Sequence, residues 1–560
     1  MTFDSHLTFI QANAIHFPER LVFKVPQLDH EDDDMSSHQK IHGWTDVTYQ
    51  KFYQDIVWSS GYWLRTLQCP PGSVVGLWFV QLSWKNHFFK QKINLISRML
   101  GMVYRDVVHF FGLMNAGFVP QILTLKIRSA ELAIEYFKRS DISYIIYAPT
   151  APVDQLRNHF QIHEIIDIKP SDIADVHVLS PKEKNGDDTV LIFHSSGSTS
   201  GKPKLIPYTH NWIHGHAQKP LPGLPDGKEI GVAINGIVHA SQFCISLQQF
   251  RNGTCIVLIP WLDLTGAELC QIITECKANV LYQLTPILTK TLREAMKNSE
   301  LRAVLKSLNF IACCGSVFGE SERLWSMELG IPIKNWYGMT EMGITMVSAG
   351  HDPIILHPIN VPGLVYEFKH RDTEGEVEST EPKRKLVEAI ISSSSIDRPY
   401  PTLCDPIDGH FHTRDLFEEV GPNGYIYRER LDDIIKMSRG QKCSAFNSAN
   451  KQFVFRFIES QILLSCESLV AACVVVGSGK PSPVLVLEPL EEPTDIASLK
   501  EKIGKKAELI NKDGFPHERI RPSDILIVPS GTIPRTPKGN INRSSAERLY
   551  KQEIDAFFDE

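Results

Sequence analysis

The sequence predicts an α/β protein with a large N-terminal domain of helix-wrapped sheets, a β-rich subdomain and a small α+β C-terminal domain. Three observations predict it. Apolar runs of strand length alternate with helical stretches of about ten residues from Ser73 to Asn335, and strands interleaved with helices build parallel sheets. After Gly363 the strands shorten and turn signals crowd in at Asp408-Gly409-His410 and Gly421-Pro422-Asn423-Gly424, which is the punctuation of β-rich structure. The charged stretch Glu429-Arg430-Leu431-Asp432-Asp433 reads as a junction and divides the chain into domains 1–430 and 431–560.

A chain of 560 residues is too long for one hydrophobic core. With 42% apolar and 22% charged residues and a net charge of −7, it has a globular composition and no basic surplus, so nucleic acid is not an expected partner. Its 11 cysteines lack metal-binding spacing and read as free thiols in a reducing cytosol, so the expected location is cytoplasmic. The opening MTFDSHLTFIQANA has no basic-then-apolar leader, and no apolar run reaches membrane-spanning length, so neither secretion nor a membrane partner is expected.

Taken in order, residues 1–70 are mixed, with an acidic loop at His30–Asp34. SVVGLWF from Ser73 is a strand, and Tyr104–Ala116 is a helix stopped by Gly117 ahead of Pro120. The interval from Val80 to Gly101 far exceeds the usual strand-to-helix loop and carries Lys85, Lys90, Lys92 and Arg98 with no acid. It reads as an insertion, either a true excursion or translated non-coding sequence, and Ser448–Phe457 reads as a second one. Strands are expected at Ile142–Tyr147, Val190–Phe193, Ile230–Ile234, Thr254–Ile259, Val280–Gln283, Leu308–Cys313 and Pro332–Asn335. Helices are expected at Ala240–Phe250, Gly266–Lys277 and Pro286–Asn298. Ligands of such sheets belong at the carboxyl ends of the strands.

The stretch Thr189–His210 is the chemical focus. An apolar strand runs into Ser195-Ser196-Gly197-Ser198-Thr199-Ser200-Gly201, closed by Lys202-Pro203-Lys204. Hydroxyls, backbone N–H groups freed by the glycines and two ammonium groups together suit phosphate oxygens. It is not a Walker loop, because three residues separate Gly197 from Gly201 and Pro203 follows Lys202. A polar surface loop after a strand fits the same residues. Gly477-Ser478-Gly479-Lys480 is superficially similar to a phosphate loop, but Pro481 and the flanking strands make it a turn.

Four patterns, in the right order over most of the chain, resemble the acyl-adenylating superfamily of acyl-CoA synthetases, luciferases and adenylation domains of nonribosomal peptide synthetases. Ser195–Lys204 meets its phosphate-loop pattern with Ser200 as one extra residue, and Tyr337–Glu341 meets Tyr-Gly-x-Thr-Glu without departure. Thr413-Arg414-Asp415 and Glu429-Arg430-Leu431-Asp432 meet the Thr-Gly-Asp and Gly-Arg-x-Asp patterns with each glycine lost. HSSGSTSGKPKLIP, YRDVVHFFGLMNAGFVP and KCSAFN look most like the adenylation domains of fungal synthetase-like adenylate-forming reductases. Those continue into carrier and reductase domains. This chain ends at Glu560, soon after the closing motif, and is expected to lack both.

The resemblance implies ATP-dependent activation of a carboxylic acid to acyl-AMP, with Mg²⁺ and release of pyrophosphate. The acyl group then passes to a phosphopantetheine thiol on a carrier protein acting in trans, and a partner or missing domain later reduces it. It also implies a mobile C-terminal domain. Ser195, Ser196, Gly197, Ser198, Thr199, Gly201 and Lys204 would hold the β- and γ-phosphates, Thr340 the α-phosphate, and Glu341 the metal. Asp415 and Arg430 would take the ribose, Asn335, Trp336 and Tyr337 the adenine, Gly315 would pack on adenine or acyl group, and His239 would sit beside the carboxylate. Without that context a Thr-Glu pair is more often a helix cap with its first-turn acid, and a lone histidine more often a surface or satisfied core residue.

Two departures bear on the chemistry. His239-Ala240-Ser241-Gln242-Phe243 holds no acid to pair with an ammonium group, so an aryl or other non-amino acid is the expected substrate. Asn540 stands where the family's closing lysine falls, and Lys538 is the nearest replacement. Two other readings stay open here: a nucleotide-binding remnant without turnover, and a free-standing acyl-CoA ligase.

Overall fold

The computed structural model describes the chain outside residues 1–2, 29–39, 80–102, 124–128, 149–150, 152, 169–184, 196–203, 224–226, 234, 238, 260, 262–263, 317, 371–385, 432–434, 437–441, 444–457, 460–461, 464, 467–468, 479, 494, 512–519, 536–540 and 559–560. Both expected insertions fall outside the described residues. The chain divides into two compact units, Met1–Ser195 with Leu205–Tyr366 and Ser392–Phe411, and Ser196–Lys204 with Glu367–Ile391 and His412–Glu560.

In the first unit, one sheet is six-stranded. Its strands Gln161–Glu164, Tyr144–Tyr147, Val74–Trp78, Val119–Ile122 and Thr189–His194 are parallel neighbours, and Leu205–Thr209 closes it antiparallel to Thr189–His194. Tyr144–Tyr147 and Val119–Ile122 are buried at every residue, as expected where helices cover both faces of a parallel sheet. The second sheet has a parallel run ordered Ile333–Met339, Phe310–Cys314, Val280–Leu284, Ile230–Val232, Cys255–Val257 and Leu21–Leu28. Antiparallel strands flank it, Gly343–Ser348 with Leu356–Pro358 at one end and Ile41–Thr48 at the other.

The helices start where local chemistry tells them to. Thr265 and Glu268 form a reciprocal capping box ahead of Gly266–Cys276. Thr209 accepts from the Trp212 N–H to open His210–Ala217, and Pro286 occupies the first turn of Thr285–Lys297. The first 70 residues, unresolved in the sequence reading, form a helix at His6–His16, two strands and the long helix Tyr49–Thr66. Their helical and strand periods are hidden by scattered polar residues that turn out to be buried and bonded. His6 is one of them: it is fully buried, stacks on Phe243 and hydrogen-bonds that residue's carbonyl at 2.8 Å.

In the second unit, Leu386–Ile391, Phe411–Glu419 and Tyr425–Arg430 follow one another across a sheet, with Asp415 directly opposite Arg430 in the antiparallel register. Further along, Val470–Val476 and Val484–Pro489 form an antiparallel hairpin joined in parallel by Ile525–Ile527. Both faces are buried. Cys473, Val475, Leu485 and Leu487 pack against Ile462, Leu499 and Ile503, while Ala472, Val474, Val484 and Val486 pack against Ala546, Tyr550 and Ile554. The period of two thus gives this small sheet two cores.

Burial lowers the His6 pKa to about 3, with its bond to the Phe243 carbonyl opposing. The unfolded chain therefore binds a proton that the folded chain does not between about pH 6.5 and 3, so this residue's contribution is full above that window and is lost as pH falls. We expect the His6→Gln variant to show a flatter fall of thermal midpoint with acidification over this range. The difference should reach at most about 1.4 kcal/mol per pH unit, measured by unfolding at stepped pH.

Candidate active site

The carboxyl ends of three parallel strands set the stage. Leu284, Cys314 and Trp336 lie side by side in register, and the Thr285 hydroxyl donates to the Cys314 carbonyl at 3.1 Å. Gly315 follows at φ +99°. Beyond Trp336 the strand continues to Met339, turns through Thr340-Glu341-Met342 and returns antiparallel as Gly343–Ser348. The Thr-Glu pair is therefore at the tip of a β-hairpin and not at a helix cap.

Two glycines allow that turn. A Cβ on Gly338 would overlap the Gly343 carbonyl, and Gly343 itself lies at φ +62° with the His216 ring where a Cβ would go. A bulge between Tyr337 and Gly338 shifts the register just before the tip. Met342 is fully buried and anchors the turn. Thr340 and Glu341 are half-buried. Among the described residues the Thr340 hydroxyl and the Glu341 carboxylate make no hydrogen bond or ion pair, while the Thr340 carbonyl accepts from the Tyr208 hydroxyl at 2.6 Å.

The other predicted residues of this unit take distinct places. His239 follows the strand Ile230–Val232 and caps the helix Ala240–Arg251, its Nδ1 accepting the Ser241 N–H at 3.3 Å and lying 2.7 Å from the Ser241 hydroxyl. An accepting Nδ1 puts the proton of the neutral ring on Nε2. Asn335 is half-buried, with its N–H bonded to Ser348 Oγ at 2.9 Å. Trp336 is only 2% exposed and lies against Tyr282, ring centroids 5.7 Å apart, which makes it a core residue. Tyr337 is half-buried. Ser195 is buried at the end of its strand. Ser196, Gly197, Ser198, Thr199, Gly201 and Lys538 lie outside the described residues, and Lys204 is exposed at the start of Leu205–Thr209.

In the second unit, Asp415 is buried and its Oδ1 lies 3.3 Å from Arg430 Nε. Arg414 adopts φ +60°, the left-handed region that glycine enters freely and other L-residues enter at a cost. A glycine would take this conformation without strain. Neighbours hold Arg414 in it: the Thr413 hydroxyl donates to the Ala389 carbonyl at 2.7 Å and accepts the Asp415 N–H at 3.1 Å. The Arg414 N–H goes to Glu388 Oε1 at 2.9 Å, and His412 Nδ1 lies 3.6 Å from the same oxygen.

Glu388 was missed in the sequence, although an acid inside the apolar run Leu386–Ile391 is a legible sign of a buried acceptor with a task. The Gly477–Lys480 segment shows why it is a turn. The Glu547 carboxylate accepts the N–H of Gly477 at 3.1 Å and that of Ser478, so the chain's own anion fills the concavity.

Residues 92–382 match the family described as AMP-binding enzyme, and residues 432–560 match the AMP-binding enzyme C-terminal domain. The chain belongs to the AMP-binding enzyme family. It is 25% identical over 555 residues to the AMP-binding domain-containing enzyme iboA of Amanita muscaria, covering 95% of this chain and 99% of that one. Against an adenylate-forming reductase of Serpula lacrymans var. lacrymans it is 25% identical over 404 residues, 66% of this chain and 34% of the reductase. This family member thus spans nearly the whole Amanita enzyme and about a third of the reductase. Its fold is similar to the A domain of the carboxylic acid reductase from Segniliparus rugosus, solved with AMP and a co-purified carboxylic acid, at a TM-score of 0.70 and 13% identity over 99% of this chain and 94% of that one.

The strain at Arg414 gives a direct test. Arg414→Gly is expected to stabilise the protein by about 0.5–1 kcal/mol, the cost of a left-handed L-residue less the added freedom of glycine in the unfolded chain, read as a raised unfolding midpoint.

Proposed function

We propose that this AMP-binding enzyme activates a carboxylic acid with ATP, forming acyl-AMP and pyrophosphate, and passes the acyl group to a phosphopantetheine thiol of a carrier protein. One observation carries the reading: the Thr340–Glu341 turn offers, among the described residues, a hydroxyl and a carboxylate without a hydrogen bond or ion pair, beyond the carboxyl ends of parallel strands, where such sheets take ligands.

The reaction makes modest chemical demands. The acid's oxygen attacks the α-phosphorus, the bond to the bridging oxygen breaks, and pyrophosphate leaves with the electron pair. Catalysis is then positioning and charge dispersal. Thr340 would donate a hydrogen bond to the α-phosphate, and Ser195 to Lys204 would meet the outer phosphates. His239, with its ring proton on Nε2, would donate toward the acid or the α-phosphate. Asp415 suits a ribose, since one carboxylate accepts from two hydroxyls, and Arg430 beside it would orient it. Gly315 and the backbone at Asn335, Trp336 and Tyr337 would border the base. Lys538 would meet the α-phosphate in place of the lysine replaced at Asn540.

The site fits magnesium carried in with ATP. Among the described residues no cluster of three metal-ligating side chains exists, and a hard cation held by one carboxylate such as Glu341 together with phosphate oxygens needs none. Magnesium so bound would offset charge on the phosphates. The segment His239–Phe243 brings no acid to meet an ammonium group, which favours an aryl or other non-amino acid. Residues 431–560 would form the C-terminal adenylation subdomain, a division supported by the separate C-terminal family match at 432–560.

The test is carboxylate-dependent exchange of pyrophosphate into ATP over a panel of aryl, keto and amino acids, and the reading predicts exchange with at least one non-amino acid. Silence across the whole panel would instead indicate a nucleotide-binding protein without turnover. Thioester formation on free coenzyme A, with none on a carrier, would replace the carrier by coenzyme A as acceptor. Glu341→Ala should cut exchange at least about 100-fold while leaving magnesium-free nucleotide binding intact in calorimetry.

A further inference from the structure

Behind the Thr340–Glu341 turn lies a buried polar row that none of the roles above uses. Tyr208, whose hydroxyl donates to the Thr340 carbonyl at 2.6 Å, stacks on Trp212 with centroids 3.6 Å apart. Trp212 stacks in turn on His216 at 4.2 Å. His216 Nε2 accepts the Ile344 N–H at 3.1 Å, and Lys219 Nζ donates to the Ile344 carbonyl at 2.7 Å. Both backbone groups of Ile344 are thus taken by side chains from the helix His210–Ala217 and the residues just after it.

Lys219 is fully enclosed; its Nζ donates to the Ile344 carbonyl and to Asp397 Oδ2 at 2.8 Å, while His216 Nε2, whose lone pair takes the Ile344 N–H, lies 3.3 Å away. A carbonyl and a carboxylate on different segments fix where the ammonium group sits. Asp397 is as deeply enclosed, and the hydroxyls of Tyr366 and Ser395 hold it at 2.6 and 2.5 Å. A buried ion pair seldom stabilises more than an apolar pair of the same shape, so what it supplies best is geometry. The bonds from Tyr208, His216 and Lys219 to the hairpin all end on its backbone, and none ends on the Thr340 hydroxyl or the Glu341 carboxylate. A precise site needs such support beneath side chains left open for ligand.

We propose that Tyr208, His216 and the Lys219–Asp397 pair are positioning residues for the Thr340–Glu341 turn, setting where it meets the magnesium and phosphates of ATP. The inference rests on reading that turn as the ATP-holding element. Tyr208→Phe removes one hydroxyl and keeps the stack on Trp212. Lys219→Met/Asp397→Leu removes both charges together and so avoids stranding one of them in the core.

Both variants are to be compared with the wild-type chain by thermal unfolding, by the magnesium dependence of exchange and by calorimetry of ATP with and without magnesium. For Tyr208→Phe we expect exchange turnover about tenfold lower and half-saturating magnesium several-fold higher, with ATP affinity in the absence of magnesium unchanged. The double variant should move turnover and magnesium dependence in the same direction. A lowered unfolding midpoint with wild-type turnover and magnesium dependence in Tyr208→Phe would show a structural role only and overturn the proposal. If the wild type itself exchanges with no acid, the adenylation reading fails separately. The row then stands or falls on calorimetry alone, and equal magnesium–ATP affinity in wild type and Tyr208→Phe overturns it.

Discussion

An ammonium group shut away from water, held by a backbone carbonyl and a carboxylate, is the constraint on which the Thr340–Glu341 hairpin of the first unit depends. Lys219 joins the end of one helix, the return strand of a β-hairpin and the loop that carries Asp397. Burial pulls its pKa below the usual lysine range while Asp397 opposes the shift, and burial with the nearby ammonium depresses His216. A neutral His216 is what the geometry needs, since its Nε2 must accept the Ile344 N–H. The backbone of the hairpin is thus secured from behind, and among the described residues the Thr340 hydroxyl and the Glu341 carboxylate at its tip make no hydrogen bond or ion pair.

The second unit solves a similar problem with strain. Arg414 keeps a left-handed backbone without the glycine that would adopt it freely, and Glu388, Thr413 and Ala389 supply the hydrogen bonds that hold it there. Asp415 is thereby fixed opposite Arg430 in the ladder. In both units the side chains proposed to touch nucleotide stand on backbone that other buried groups have immobilised. This is how a reaction driven by positioning and charge dispersal can be carried on strand ends and turns.

The glycine-rich turn at Gly477 is not a ligand site. Gly477 and Ser478 present their N–H groups to Glu547, an anion of the same chain, and the neighbouring Lys480 pairs with Asp555 at 2.6 Å. The motif has the form of a phosphate loop, and its capacity to bind an anion is already used internally.

The alternation of apolar strands with amphipathic helices between Ser73 and Asn335 was legible from periodicity, because burial on both faces of a parallel sheet demands continuous apolar runs. So were the family and the Tyr337–Glu341 motif, whose glycine, hydroxyl and acid sit within a few residues of one another. The first 70 residues were not legible, since polar side chains such as His6 find partners more than 200 residues away. Nor was the setting of Thr340 and Glu341, where local sequence suits a helix cap as well as a hairpin tip, and only pairing with Gly343–Ser348 decides. Lys219 and Asp397 are isolated residues in unremarkable stretches, and nothing near Tyr208 in the sequence ties it to Thr340. Their meaning arises when folding brings them together out of water, where an unpaired charge is too costly to leave and must find a partner.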